Sequence, residues 1–206
     1  MLCSLLKRLR LQQLCRKRDV IIRLLNRCGF TLWLLAAASS SWAATTRIEL
    51  PSGDVYEGEI RDGQRTGYGV YSWQNGQRYE GGFDAGRRSG LGIFTLRDGT
   101  TFRGEFLEDR LQGHAVRQAT DGSRELQIWD AGKLVSQWPL REMPDCRLLL
   151  NGQPWMFIGG DCINGLAHGV GLAARLDGAA VIPEGRFIVG RLVEGDIRSL
   201  VPVPRP

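Results

Sequence analysis

A chain of 206 residues has room for one ordinary domain or an elongated repeat array. Its formal charge of +5 is unevenly placed: of 27 Lys/Arg and 22 Asp/Glu, eight bases and one acid (Asp19) fall in residues 1–43, leaving 19 bases against 21 acids and a net of −2. The basic balance therefore belongs to the N-terminal segment and argues for neither nucleic acid nor an acidic membrane as partner of the rest.

The first element is an export signal over 1–43. An apolar stretch from Phe30 to Ala38 follows Arg23 and Arg27, and Ser41-Trp42-Ala43 fits the small-x-small pattern of a cleavage site. The stretch is short for a spanning helix, which needs about 20 apolar residues, so a cleaved signal helix is favoured over an inner-membrane anchor. The expected location is periplasmic or secreted. The basic part ahead of the apolar stretch is long for a signal; either Met1 is not the true start, with Val20 the candidate, or the n-region is extended.

Setting the signal aside removes Cys3, Cys15 and Cys28, so only Cys146 and Cys162 remain. Two cysteines in an oxidising compartment read as one disulfide.

From Tyr56 the sequence repeats every 23 residues. Tyr56-Glu-Gly58-Glu-Ile60, Tyr79-Glu-Gly81-Gly-Phe83 and Phe102-Arg-Gly104-Glu-Phe106 superpose, and a worn fourth copy puts Trp129 in the column of Phe106. Gly67, Gly90 and Gly113 form a second column, Gly69 and Gly92 a third, and Gly53, Gly76, Gly99 and Gly122 a fourth. Apolar residues alternate with period two, with Tyr56, Gly58 and Ile60 on one strand and Gly67, Gly69, Tyr71 and Trp73 on the next; Phe94 repeats the Tyr71 position. Asp62-Gly63 and Asn75-Gly76 are turn signals, so each unit is a β-hairpin over 48–138. Glycine inside a strand is costly unless something fills the space of its missing side chain. A ring from an adjacent strand can lie over Gly58, Gly67 or Gly69, and one hairpin alone is marginal, so the units should stack edge to edge. The expected fold is all-β: an elongated, twisted antiparallel sheet of stacked hairpins without a globular centre.

The pattern Tyr-Glu-Gly-x-Phe, then Gly-x-Gly and a turn glycine, resembles the MORN (membrane occupation and recognition nexus) repeat. The resemblance implies a rigid strip that presents aromatics, Tyr68 among them, to an envelope protein or to a second copy. No cofactor is expected.

Residues 139–200 carry a degenerate copy: Gly160, Gly165, Gly169, Gly171 and Asp177-Gly178 follow the first block at a constant offset of 102. Ala173 and Arg175 stand where Tyr71 and Trp73 would, so this copy lacks the aromatics of the first block and its packing is left open. Asn151-Gly152 signals a tight hairpin, but that register puts Cys146 opposite Phe157 and too far from Cys162 for a bond. A wider loop, from Asn151 to Phe157, reconciles the disulfide with the chain and is the favoured reading. The segment 201–206, Val-Pro-Val-Pro-Arg-Pro, is expected as a disordered tail.

The catalytic and metal motifs do not hold up. Gly169-Val-Gly171 mimics a dinucleotide loop without the strand and helix that loop requires. Cys146, Cys162 and His168 lack a fourth zinc ligand at diagnostic spacing. No nucleophile elbow, zinc helix or phosphate loop occurs, and Glu57, Glu59, Glu80 and Glu105 recur with the repeat as a solvated sheet face would, so no catalytic role is expected. Arg87, Arg110 and Lys133 share a repeat position beside Arg65 and Arg88 at the hairpin bends. At about 10 Å per repeat they would form a row of cations. Such a row either deters edge pairing or binds anionic lipid or an envelope polymer.

Overall fold

The computed structural model describes residues 45–203; the expected signal segment and the candidate Val20 start lie outside them. Among the described residues every regular element is a strand, and no helix is long and apolar enough to cross a membrane.

Nine strands form one antiparallel sheet in strict chain order: β1 (Thr46–Glu49), β2 (Val55–Arg61), β3 (Gln64–Ser72), β4 (Arg78–Asp84), β5 (Arg87–Thr95), β6 (Thr101–Leu107), β7 (Arg110–Gln118), β8 (Arg124–Asp130) and β9 (Lys133–Pro139). The Asp62-Gly63 bend has both residues at positive φ, 51° and 75°, which matches the twist of the flanking strands. In the third unit Glu108 and Asp109 take the same backbone, φ 48° and 68°, without a glycine.

Register slips at one point in each hairpin, after Gly58, Gly81, Gly104 and Ile128. The extra residues are Gly67-Tyr68, Ser89-Gly90-Leu91 and Gly113-His114 on the longer strands. This corrects the expectation for Gly67: its column bulges in the left-handed region, and no ring covers it. A Cβ at Gly67 would run into the Glu59 carboxylate, and at Gly90 it would meet open space. Rings do fill the other glycine columns. Tyr56 lies over Gly58 and Gly69, and Tyr79 over Gly81 and Gly92.

A second sheet comprises β10 (Leu148–Leu150), β11 (Gln153–Ile158), β12 (Asp161–Ile163), β13 (Leu166–Arg175), β14 (Ala180–Ile188), β15 (Arg191–Glu194) and β16 (Arg198–Ser199). Its path runs β10-β11-β13-β14-β15, and β10 approaches β15, so the sheet curls. Alternation along its strands builds two cores. Trp155, Phe157, Ala173, Ile182 and Phe187 point into the curl, while Met156, Ala174 and Val181 pack on Val116 and Leu126 of the first sheet. The protein thus has a layered apolar centre where only an open ribbon was expected.

Ring-over-glycine packing also recurs in this sheet, with rings from other positions: Phe157 covers Gly171 and Phe187 covers Gly185. Their rings meet at 5.0 Å.

A disulfide joins Cys146 and Cys162, with Cα atoms 5.3 Å apart, yet no wide loop is needed. Asn151-Gly152 makes the tight turn, with Leu150 opposite Gln153 and Leu148 opposite Trp155. What spacing along one hairpin could not show is the break at Gly159-Gly160. There β12 takes over from β11 along β13 and puts Cys162 opposite Ala167. Arg147 bridges to the same point, its carbonyl accepting from the Ala167 N–H at 3.1 Å. With the two sulfurs bonded to each other, no thiolate is left for a zinc site at His168.

The tail also departs from expectation over its described part. After β16 pairs with β14, Leu200 is 4% exposed and Pro202 is buried, while Val201 and Val203 point to solvent.

Candidate functional site

The two faces of the first sheet differ in composition, and the repeat dictates how. On one face Tyr56, Tyr79, Phe83 and Phe106 are buried, with Ile60, Tyr71, Trp73, Phe94 and Leu111 half-buried against them. All belong to the repeats. The rings meet edge to face: Tyr79 stands 5.2 Å from Phe83 and 5.0 Å from Phe106, and Trp73 is 5.6 Å from Phe94. Phe102 and Trp129 extend the row at 6.3 Å. Gly104 departs from its column, since the Cβ of Ala115, not a ring, faces it.

Each buried tyrosine also satisfies the bulge beside it. Tyr56 donates its hydroxyl to the Glu59 carbonyl at 2.9 Å, and Tyr79 to the Gly82 carbonyl at 3.0 Å. Burial pushes the Tyr56 phenol up to about 12, against the opposing pull of Arg65, and raises Tyr79 further. Both rings stay neutral donors in ordinary buffers. At the far edge Tyr71 donates to Asp54 at 2.8 Å; the Gln74 N–H, and then this hydroxyl, hold that carboxyl below its ordinary range.

The candidate cations at the bends divide into two groups. Arg65 and Arg88 turn onto the aromatic face. The Arg65 guanidinium lies 4.9 Å from the Tyr71 ring and donates to the Gly86 carbonyl at 2.7 Å. Arg88 lies 5.2 Å from Phe94 and 5.5 Å from Phe106, and its Nε donates to Asp109 at 3.0 Å. Both therefore belong to the aromatic layer, which corrects their placement on an anion-binding edge. Arg87, Arg110 and Lys133 remain exposed. Arg87 pairs with Glu108 at 3.5 Å, and Asp84, Asp109 and Asp130 lie at the same bends, so the edge is of mixed sign.

The opposite face carries the glutamates, and they are not uniformly solvated. Glu59 accepts the Tyr68 N–H at 3.2 Å and so caps the bulge. Glu80 accepts the Tyr68 hydroxyl at 2.7 Å and pairs with Arg78 at 2.6 Å. Tyr68 is half-buried on this face, apart from the aromatic row. A groove of about 760 Å³ opens beside it, lined by Glu59, Arg61, Tyr68, Gly82, Asp84, Leu91 and Pro202 among others. Sequence reasoning missed this groove. The one signal for it was Gly82, which stands where the flanking units carry Glu59 and Glu105.

The class defined by this arrangement is an antiparallel hairpin-repeat protein with a ring-over-glycine face. Comparison with known families agrees: residues 56–78, 79–101 and 102–124 each match the MORN repeat, three consecutive copies at the 23-residue period. No curated protein matches the chain.

Proposed function

We propose that the protein is an exported, non-enzymatic interaction scaffold of the cell envelope, binding a protein partner or a second copy of itself through its MORN sheet. MORN repeats are protein- or membrane-interaction modules. The observation that carries the reading is the asymmetry of the sheet. One face packs on the second sheet through Val116 and Leu126, while Tyr71, Trp73, Phe94, Phe102 and Trp129 stay half-exposed on the other. A strip of aromatics on which the sheet's own Arg65 and Arg88 lie, and no strand of the second sheet, is a candidate contact surface, since aromatic anchors dominate protein interfaces. Export is supported by the apolar segment before Ala43 and by the disulfide.

The test is capture from a crosslinked envelope fraction, together with light scattering of the purified chain. The expected result is one defined partner or a dimer, lost in the Trp73→Ala/Phe94→Ala variant. Capture indifferent to that substitution, or a monomer retaining nothing, would refute it. The lipid alternative draws only on Arg87, Arg110 and Lys133, all beside acids. Flotation with anionic vesicles is expected to leave the wild type and the Arg87→Ala/Arg110→Ala variant unbound alike.

A further inference from the structure

The groove on the glutamate face has a local cause. In the first and third units a glutamate, Glu59 or Glu105, lies beside the bulge glycine of the neighbouring strand. The middle unit has Gly82 instead, so a strip of backbone from Gly82 and Ser89-Gly90-Leu91 lies bare between Tyr68 and Leu91. The Tyr68 ring is held away from it by the hydrogen bond from its hydroxyl to Glu80 at 2.7 Å.

Into this gap runs the end of the described chain. The Leu200 N–H donates to the Ala179 carbonyl at 2.9 Å, and the Leu200 side chain packs in the core between the two sheets, which Leu91 also flanks. Pro202 then lies buried in the wall of the groove. Pro202 is buried between the exposed Val201 and Val203, and in the sequence every second residue from Pro202 to Pro206 is proline. Proline-rich chain suits such a site: it loses little entropy on docking, presents no backbone N–H at each proline, and packs on aromatic walls. Arg205 follows Val203 by two residues in the sequence, a reach of about 7 Å for extended chain. The groove offers it Glu59 and Asp84.

We propose that this groove is a docking site for proline-rich chain, and that its resident occupant is the protein's own segment Pro202–Pro206, bound in cis, with Arg205 paired to the groove carboxylates. A proline-rich segment of another protein reaches the groove only by displacing it. The site lies on the face opposite the aromatic strip, so it stands or falls independently of the scaffold reading.

The test uses a fluorescein-labelled peptide of the Ser199–Pro206 sequence and two forms of the protein: the full chain, and one ending at Val201 that keeps Leu200 in place. Fluorescence anisotropy is expected to show saturable binding to the shortened form, at least ten-fold weaker binding to the full chain, and at least a ten-fold loss when the peptide carries Arg205→Glu. Equal binding to both forms, or indifference to the arginine, overturns the proposal. A second measurement keeps the chain at full length, with benzoylphenylalanine replacing the exposed Val203. Photolysis is expected to crosslink it within the same molecule to the peptide spanning Glu59 to Leu91. A crosslink between copies, or to another part of the chain, overturns occupancy in cis.

Discussion

Gly92→Ala isolates the packing on which the repeat depends. Gly92 has ordinary strand dihedrals, so alanine there carries no backbone strain. Its Cβ would lie 2.5 Å from Tyr79 Cε2 and 2.6 Å from Cζ, where carbon atoms prefer about 3.5–4.0 Å, so the ring must retreat by about 1 Å. Tyr79 cannot easily retreat. It is 0% exposed, its hydroxyl is tied to the Gly82 carbonyl at 3.0 Å, and Phe83 and Phe106 flank the ring. The cost should reach the upper part of the overpacking range, about 1–3 kcal/mol. In a Tyr79→Leu background the obstacle is gone. There Gly92→Ala should be neutral or gain a few tenths of a kcal/mol, because glycine is itself costly in a strand by about 0.5–1 kcal/mol. Urea denaturation of the four proteins, with the m-value held common, should therefore return a coupling energy of about 1–3 kcal/mol. Equal cost of Gly92→Ala in both backgrounds would refute the claim that rings and glycines are one packing unit.

Arg88→Ala should lower stability by about 1–3 kcal/mol, because it removes both a stacked cation and the partner of Asp109. Arg87→Ala, one residue away and exposed, should stay within about 0.5 kcal/mol on the same urea curves. Reducing the Cys146–Cys162 bond closes off about 3 kcal/mol of stabilisation on the chain-entropy model, which paired denaturation curves with and without reductant would read. His114 is held below its ordinary value of 6.5, first by burial and then by Arg198, with Glu105 opposing. The unfolded chain therefore binds more protons in the window just below 6.5, so stability should fall as pH drops through it. The His114→Gln variant should lack that slope when the urea midpoint is followed from pH 7.5 to 5.

The repeat itself was legible because its determinants are local. Asp62-Gly63 needs only its own dihedrals, and Tyr56 and Gly69 meet through a register fixed by the bend between them. The two cysteines could be paired by count alone, once an exported chain was expected. What stayed hidden depends on chain distant in sequence. Gly67 and Gly69 look alike in a column of glycines, and only the ladder shows that one bulges and the other lies under a ring. The route to Cys162 required Gly159-Gly160 to break the strand, which tight-turn spacing does not encode. Met156, Ala174 and Val181 alternate as any hairpin core would, and nothing in that alternation says they pack on Val116. Proline content marked 201–206 as tail, while the bare floor at Gly82 that receives Pro202 exists only after three hairpins have stacked.

The placement of Arg65 and Arg88 links the rings to the cooperativity of the array. Each reaches forward 21 residues to the bend of the next unit: Arg65 to the Gly86 carbonyl, Arg88 to the Asp109 carboxylate and carbonyl. The backbone makes the reciprocal contact, since the Gly86 N–H donates to the Arg65 carbonyl at 2.9 Å and the Asp109 N–H to the Arg88 carbonyl at 3.0 Å. Burial alone would push the Asp109 carboxyl up, but the bonds and charge of Arg88 outweigh it and hold the group below its ordinary range. Asp109 therefore repays its left-handed backbone, φ 68°, by fixing the guanidinium over Phe94 and Phe106. In the third unit Leu111 takes the arginine's place; the backbone bond from the Gly132 N–H remains, and an uncharged side chain supplies the other link, Gln112 accepting the Ala131 N–H at 2.7 Å. The cationic clamps thus end one unit before the array does, at the hairpin where Val116 and Leu126 meet the second sheet and apolar burial takes over the task of holding the edge.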